Sequence, residues 1–183
     1  MASRIDSLLY NYDKIVNEPW SVTLSGQEKV WFLVYDPVEQ RKIDLRTGDF
    51  ERYTKKAGKN WVEINLKSCF PEWMSKHDYK EEYFAQPDDI ADQIESDFRN
   101  YVVRFLNEKL SDAGADENTV VAITNASSLF GFLLLHDILK QINNSIKGRL
   151  LIFFPGIHEN NQYRLMDADD RDGWSYLARP ILA

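Results

Sequence analysis

The sequence predicts an α/β fold: a single three-layer domain over residues 1–183, with a mainly parallel central sheet flanked by helices. Three observations predict it. Segments 29–36, 60–66, 119–125 and 149–155 are short, apolar, and rich in β-branched and aromatic residues. The continuous apolar run 29–36 suits a strand covered on both faces, whereas 60–66 alternates, with Trp61, Val62, Ile64 and Leu66 as its apolar members. Stretches with helical apolar spacing separate them, and such alternation is the pattern of a parallel sheet with helices on its faces. A chain of 183 residues is also long enough to bury one substantial core.

Taken in order, Ile5, Leu8, Leu9 and Tyr12 form a helical stripe at the N-terminus. K-V-W-F-L-V-Y-D (29–36) reads as the first strand, stopped by Asp36-Pro37. N-W-V-E-I-N-L (60–66) is the second. The segment P-E-W-M-S-K-H-D-Y-K-E-E-Y-F carries aromatics among charges in short helical pieces. After Pro87 comes the longest expected helix, with Ile90, Ile94, Phe98, Tyr101, Val102, Phe105, Leu106 and Leu110 at spacings of three and four. Asp88 is its expected cap, and acids crowd its first turns where the helix dipole favours them. T-V-V-A-I-T-N (119–125) is the third strand. Ser127 or Ser128 is expected to cap a helix over 129–142 that is apolar on nearly every side and therefore buried. R-L-L-I-F-F-P (149–155) is the fourth strand, and W-S-Y-L-A-R-P-I is a final strand-like segment. Gly48, Gly58, Gly114 and Gly148 are expected at element ends.

Composition narrows the function classes. A net charge of −7 with acids interleaved among the bases disfavours autonomous nucleic-acid binding, which runs on clustered Lys and Arg. The single cysteine, Cys69, forms no internal disulfide. The N-terminus lacks the apolar core of a signal peptide. The longest apolar stretch, 129–135, falls far short of the roughly 20 residues that span a bilayer. A soluble, cytoplasmic protein with no membrane partner is expected.

In parallel sheets, ligands gather beyond the strands' C-terminal ends. The candidate interaction edge is therefore Asp36, Asn125, Ser127, Ser128, Gly156, His158, Glu159, Asn160 and Asn161. The sequence contains no GxxxxGK[ST], GxGxxG or GxSxG. His77, His136 and His158 are far apart in sequence. The acidic stretch M-D-A-D-D-R-D-G-W fits an EF-hand loop in neither register, because Arg179 or Ala178 falls where the bidentate Glu belongs. No catalytic residue, cofactor or metal ligand is assigned. The Asn-rich exit after the fourth strand also has a purely architectural account, since Asn organises irregular turns. Trp73, Tyr79, Tyr83 and Phe84 are candidate partner-docking aromatics, of a composition common at protein interfaces.

Several segments together resemble the BrxB family of bacterial phage-exclusion (BREX) systems. They are V-W-F-L-V-Y-D-P, F-P-E-W-M with Y-K-E-E-Y-F, S-S-L-F-G-F, and G-R-L-L-I-F-F-P-G-x-x-E-N-N-x-Y-R-L-M-D with the later D-G-W-S-Y-L-A-R-P-I. The resemblance runs from about Leu8 to Ile181. It implies a component of a multi-protein antiviral defence system that also includes a methyltransferase, an ATPase and the alkaline-phosphatase-like protein PglZ. It brings no catalytic residues with it. The expectation is a non-catalytic adaptor or scaffold that binds PglZ. Two alternatives are a nucleotide- or phosphate-sensing domain without hydrolysis, acting at the strand exits, and a hydrolase using Asp36, His158 and Glu159.

Overall fold

A computed structural model describes residues 3–112, 114–169 and 177–183. The strands are β1 (Val30–Tyr35), β2 (Asn60–Asn65), β3 (Thr119–Thr124), β4 (Arg149–Glu159), β5 (Gln162–Leu165) and β6 (Arg179–Ile181). They form a sheet in the order β2-β3-β4-β1-β6, parallel throughout, with β5 pairing antiparallel to the far end of β4. Helix α1 (Arg4–Val16) and α2 (Gln40–Lys56) cover one face. The other face carries α3 (Cys69–Ser75), α4 (Lys80–Ala85), α5 (Ala91–Gln93), α6 (Arg99–Ser111) and α7 (Leu135–Ile142). This is the expected three-layer α/β arrangement.

Strand alternation assigns each side chain to a layer. In β1, Val30, Phe32 and Val34 face the α3–α7 side, while Trp31, Leu33 and Tyr35 face α1 and α2. In β4, Leu150, Ile152 and Phe154 join the first set, and Leu151 and Phe153 the second. Every residue of β1 and β3 is buried, as is β4 as far as Gly156. The route from β1 to β2 travels along the α2 face, and the steps β2 to β3 to β4 return along the other. Reversed direction on the reversed face keeps one handedness of crossover.

Local chemistry explains the helices. Ser3 and Asp6 form a reciprocal capping box that starts α1. In α2, Phe50 packs edge-on against Tyr12 of α1 at 5.3 Å and Phe153 of β4 at 5.2 Å, which ties helix to helix and both to the sheet. Tyr12 is fully buried and bonds its hydroxyl to Thr54 of α2. No helix among the described residues is long and apolar enough to cross a membrane.

Four local expectations are corrected. Gly48 lies inside α2 rather than at an element end. The helix expected over 129–142 starts only at Leu135, because Phe130 is extended and Gly131 adopts φ +80°. That break turns Phe130, Phe132 and Leu134 outward instead of burying them. Neither Ser127 nor Ser128 caps α7. Asn125, at φ 58°, precedes a short 3-10 turn (Ala126–Leu129), and Ser128 Oγ donates back to its carbonyl. Asp88 makes no capping bond, and the segment after Pro87 passes through a π-turn (Ile94–Phe98) before α6. Gly173, Trp174 and most of the acidic stretch tested for calcium lie outside the described residues.

Two substitutions test this packing. A Cβ at Gly48 meets no atom within 4 Å, so Gly48→Ala is expected to stabilise by roughly 0.5–1 kcal/mol. Phe50→Ala, at a fully buried ring, is expected to cost about 3–5 kcal/mol. Urea denaturation measures both.

Candidate functional site

Because β1, β3 and β4 are parallel, Asp36, Asn125 and Gly156 leave the sheet at the same edge. The edge exists, but the candidate residues on it are mostly occupied in building their own turns. Asp36 accepts a bond from the Val38 amide at 3.0 Å and caps a 3-10 turn (Pro37–Glu39). Asn125 donates to Asn65 Oδ1 at 3.0 Å, joining the exits of β3 and β2. Gly156 sits where a Cβ would lie 2.1 Å from the Arg164 carbonyl oxygen, so the close approach of β5 requires glycine there.

The polar run after β4 is a hairpin. Asn160 and Asn161 both occupy the left-handed region, at φ 50° and 60°. Two consecutive left-handed residues are what a two-residue turn between twisted strands demands, and Asn tolerates them. Glu159 pairs with Gln162 across the hairpin and lies 3.6 Å from the Arg164 guanidinium. His158 faces Tyr163, with ring centroids 4.4 Å apart.

A cavity of about 240 Å³ lies between the ends of β1 and β4, lined by Arg4, Tyr35, Glu39, Gly156, His158 and Glu159 among others. Asp36, Asn125, Ser127 and Ser128 do not line it. Two of its residues are under-satisfied: Glu39 Oε2 and His158 Nε2 are shut off from solvent without a hydrogen-bond partner. Burial pushes His158 below the usual imidazole range and Tyr35 well above the usual phenol range. Among the described residues, no three His, Cys, Asp or Glu side chains come together as metal ligands. Cys69 is buried, and desolvation with nearby Glu72 pushes its thiol up to about 11, far from a reactive thiolate.

The docking aromatics separate into two groups. Trp73 is only 8% exposed, packed against Phe70 and Phe98 at 5.8 and 5.2 Å. It belongs to the core because α3 turns that side of itself toward α6. Tyr79 and Phe84 are 62% and 64% exposed, and Tyr83 is half-buried beside His77. Phe84 and Tyr83 line an apolar groove of about 590 Å³ with Phe70, Met74, Ile90 and Phe132. Phe132 stacks on Phe70 at 4.4 Å with nearly parallel planes, yet stays 38% exposed. It was hidden from sequence reasoning by the expectation of a continuous buried helix. Gly131, next to an unbroken aromatic and aliphatic run, was the available signal. A second groove of about 510 Å³ begins at the same Gly131-Phe132 corner and runs past Leu134 to Leu165.

Comparison with family models, with curated proteins and with solved structures returns no match to this chain.

Two outcomes are expected at this edge. Asn160→Val is expected to destabilise by about 1–2 kcal/mol, from forcing a β-branched residue into the left-handed region, whereas Asn160→Gly is tolerated. Denaturant midpoints separate the two. The pH response follows from His158. Its folded pKa lies below the unfolded value, so the unfolded chain binds more protons in the window between them. Stability therefore falls as pH drops below about 6.5, until the folded pKa is passed. His136 shifts in the same direction. His158→Phe should flatten the fall only in part, as read from denaturation midpoints at neutral and mildly acidic pH.

Proposed function

We propose that this protein is a non-catalytic adaptor of the BrxB kind in a bacterial phage-exclusion system, and that its apolar groove docks PglZ. The observation that carries the reading is the groove of Phe70, Met74, Tyr83, Phe84, Ile90 and Phe132. Large aromatic side chains half out of water in a concave surface are the usual anchors of protein interfaces. The surrounding chemistry names the occupant. Glu81, Glu82, Asp88, Asp89 and Asp92 are exposed on the elements that build the groove. A partner helix with an apolar stripe and basic flanks fits both features. The extended similarity to BrxB segments supplies the biological setting, with a cytoplasmic location following from it. The self-satisfied turns at the strand exits support recognition rather than bond-breaking as the role.

Co-purification of the tagged chain with PglZ at micromolar concentration tests the reading. A complex is expected, weakening as salt rises. Phe84→Glu, at a ring 64% exposed, is expected to weaken it about tenfold or more, at least 1.4 kcal/mol, while leaving the melting temperature unchanged. Absence of any complex with the wild-type chain would overturn the proposal.

A further inference from the structure

The opposite edge of the sheet, where the strands begin, carries a second arrangement. Lys29 immediately precedes β1, Lys59 precedes β2, and Lys147 and Arg149 flank the start of β4. Parallel pairing gathers these strand beginnings into one row. Together with Trp20, Ser21, Val22, Glu117 and Asn118, the four cations line a cavity of about 310 Å³.

Three of the cations are positioned by neutral acceptors rather than by a carboxylate, while Lys147 is exposed and helps hold the Asp116 carboxyl below its usual range by its charge. Arg149 is 4% exposed, and its guanidinium donates to the Gly148 carbonyl at 3.0 Å and the Ser21 carbonyl at 3.3 Å. Lys29 Nζ donates to the Ile146 carbonyl at 3.2 Å, and Lys59 Nζ to Asn118 Oδ1 at 2.7 Å. The Trp20 ring holds two of them, with Lys59 Nζ 4.3 Å and the Arg149 guanidinium carbon 4.8 Å from its centroid. Among the described residues, none of the four lies within 4.0 Å of a carboxylate, although other Lys and Arg side chains elsewhere on the chain do. The acids nearby are exposed Glu117, on the cavity rim, and Asp116, which lines an adjoining hollow with Lys147.

Buried charge is normally paired, because desolvation is costly without a counter-charge. A buried guanidinium with three ammonium groups around it, in a chain of net charge −7, concentrates positive charge at one point of the surface as anion recognition requires. Burial lowers the affinity of Arg149 for its proton, the direction expected of a cation with no acid against it. The Trp20 indole N–H is likewise shut off from solvent without a partner.

We infer that the cavity at the strand beginnings binds a small phosphorylated ligand, its phosphate dianion held by Lys29, Lys59, Lys147 and Arg149. Guanidinium and ammonium donors together suit a phosphate's charge and its spread of acceptor oxygens. The chain's overall negative charge repels an extended polyanion but admits a small dianion into a local positive pocket. The cavity is also at the lower end of the size range for small-molecule sites. This site is independent of the groove on the α3–α7 face.

Isothermal titration calorimetry at fixed low ionic strength tests it, with inorganic phosphate, a nucleoside monophosphate and a short DNA duplex as probes. Saturable binding of phosphate and of the monophosphate is expected. Equal affinities mean that the site reads the phosphate alone, and tighter monophosphate binding means that it also reads the organic body. Lys59→Gln with Lys147→Gln, both outside the core, is expected to weaken binding at least tenfold with the fold intact. Phe84→Glu should leave it unchanged, which separates this inference from the docking proposal. No binding of either phosphate probe, unchanged affinity in the lysine pair, or tighter binding of the duplex would each overturn it.

Discussion

Everything in this fold depends on the pairing of β1 with β4 at the centre of the sheet. Their parallel register runs from Val30 opposite Leu150 to Tyr35 opposite Pro155, and each residue in that span is buried. A strand covered on both faces has nowhere to put a polar side chain, so both must be apolar at every position. Each large apolar side chain so buried contributes about 1.5–3 kcal/mol relative to exposure. The same two strands also fix where polarity can return. It returns only where the strands enter and leave the sheet, which is why chemistry here is confined to two edges and to the outer surfaces of the helices.

That constraint made the central layer easy to read from sequence. Four apolar runs with β-branched and aromatic residues became β1 to β4 within about one residue, apart from the far end of β4. Where burial was one-sided or interrupted, the sequence was harder to read. Helix α2 buries only Ile43, Phe50 and Thr54, too sparse a stripe to stand out, and Gly48 in its middle resembles a boundary. The run from Leu129 to Leu135 erred the other way. Its uniform hydrophobicity suggests a buried helix, but the left-handed Gly131 breaks it and leaves two phenylalanines at the surface. The hairpin after β4 depends on Asn160 and Asn161 both taking positive φ, a turn that an Asn-Asn pair permits but does not compel.

Exposed apolar area acquires meaning from its surroundings. Scattered surface hydrophobics are ordinary, whereas a contiguous concave patch is not. Here the half-exposed Phe132 is braced by Phe70, which in turn meets buried Phe98 edge-on at 5.3 Å. The groove is thus rigidly backed by the core, and a partner binding there would not first have to order it. Its acidic margin adds long-range attraction for a basic partner and repels a second copy of the same surface.

Net charge conceals the way this chain distributes its ions. The overall balance of −7 argues fairly against a nucleic-acid surface, yet it says nothing about a pocket a few ångströms wide. Lys29, Lys59 and the Lys147–Arg149 pair are separated by some thirty and ninety residues in sequence, so no window of the chain holds more than two of these four cations. Only the parallel topology brings them together. The converse holds at the strand exits, where the sequence shows a dense polar cluster and the structure shows its members largely consumed by caps, hairpin and glycine contact. A polar group that completes its own loop has little left to offer a ligand, whereas a cation held by neutral carbonyls keeps its full charge available. By that criterion the edge of this sheet with positive charge to offer is where the strands begin.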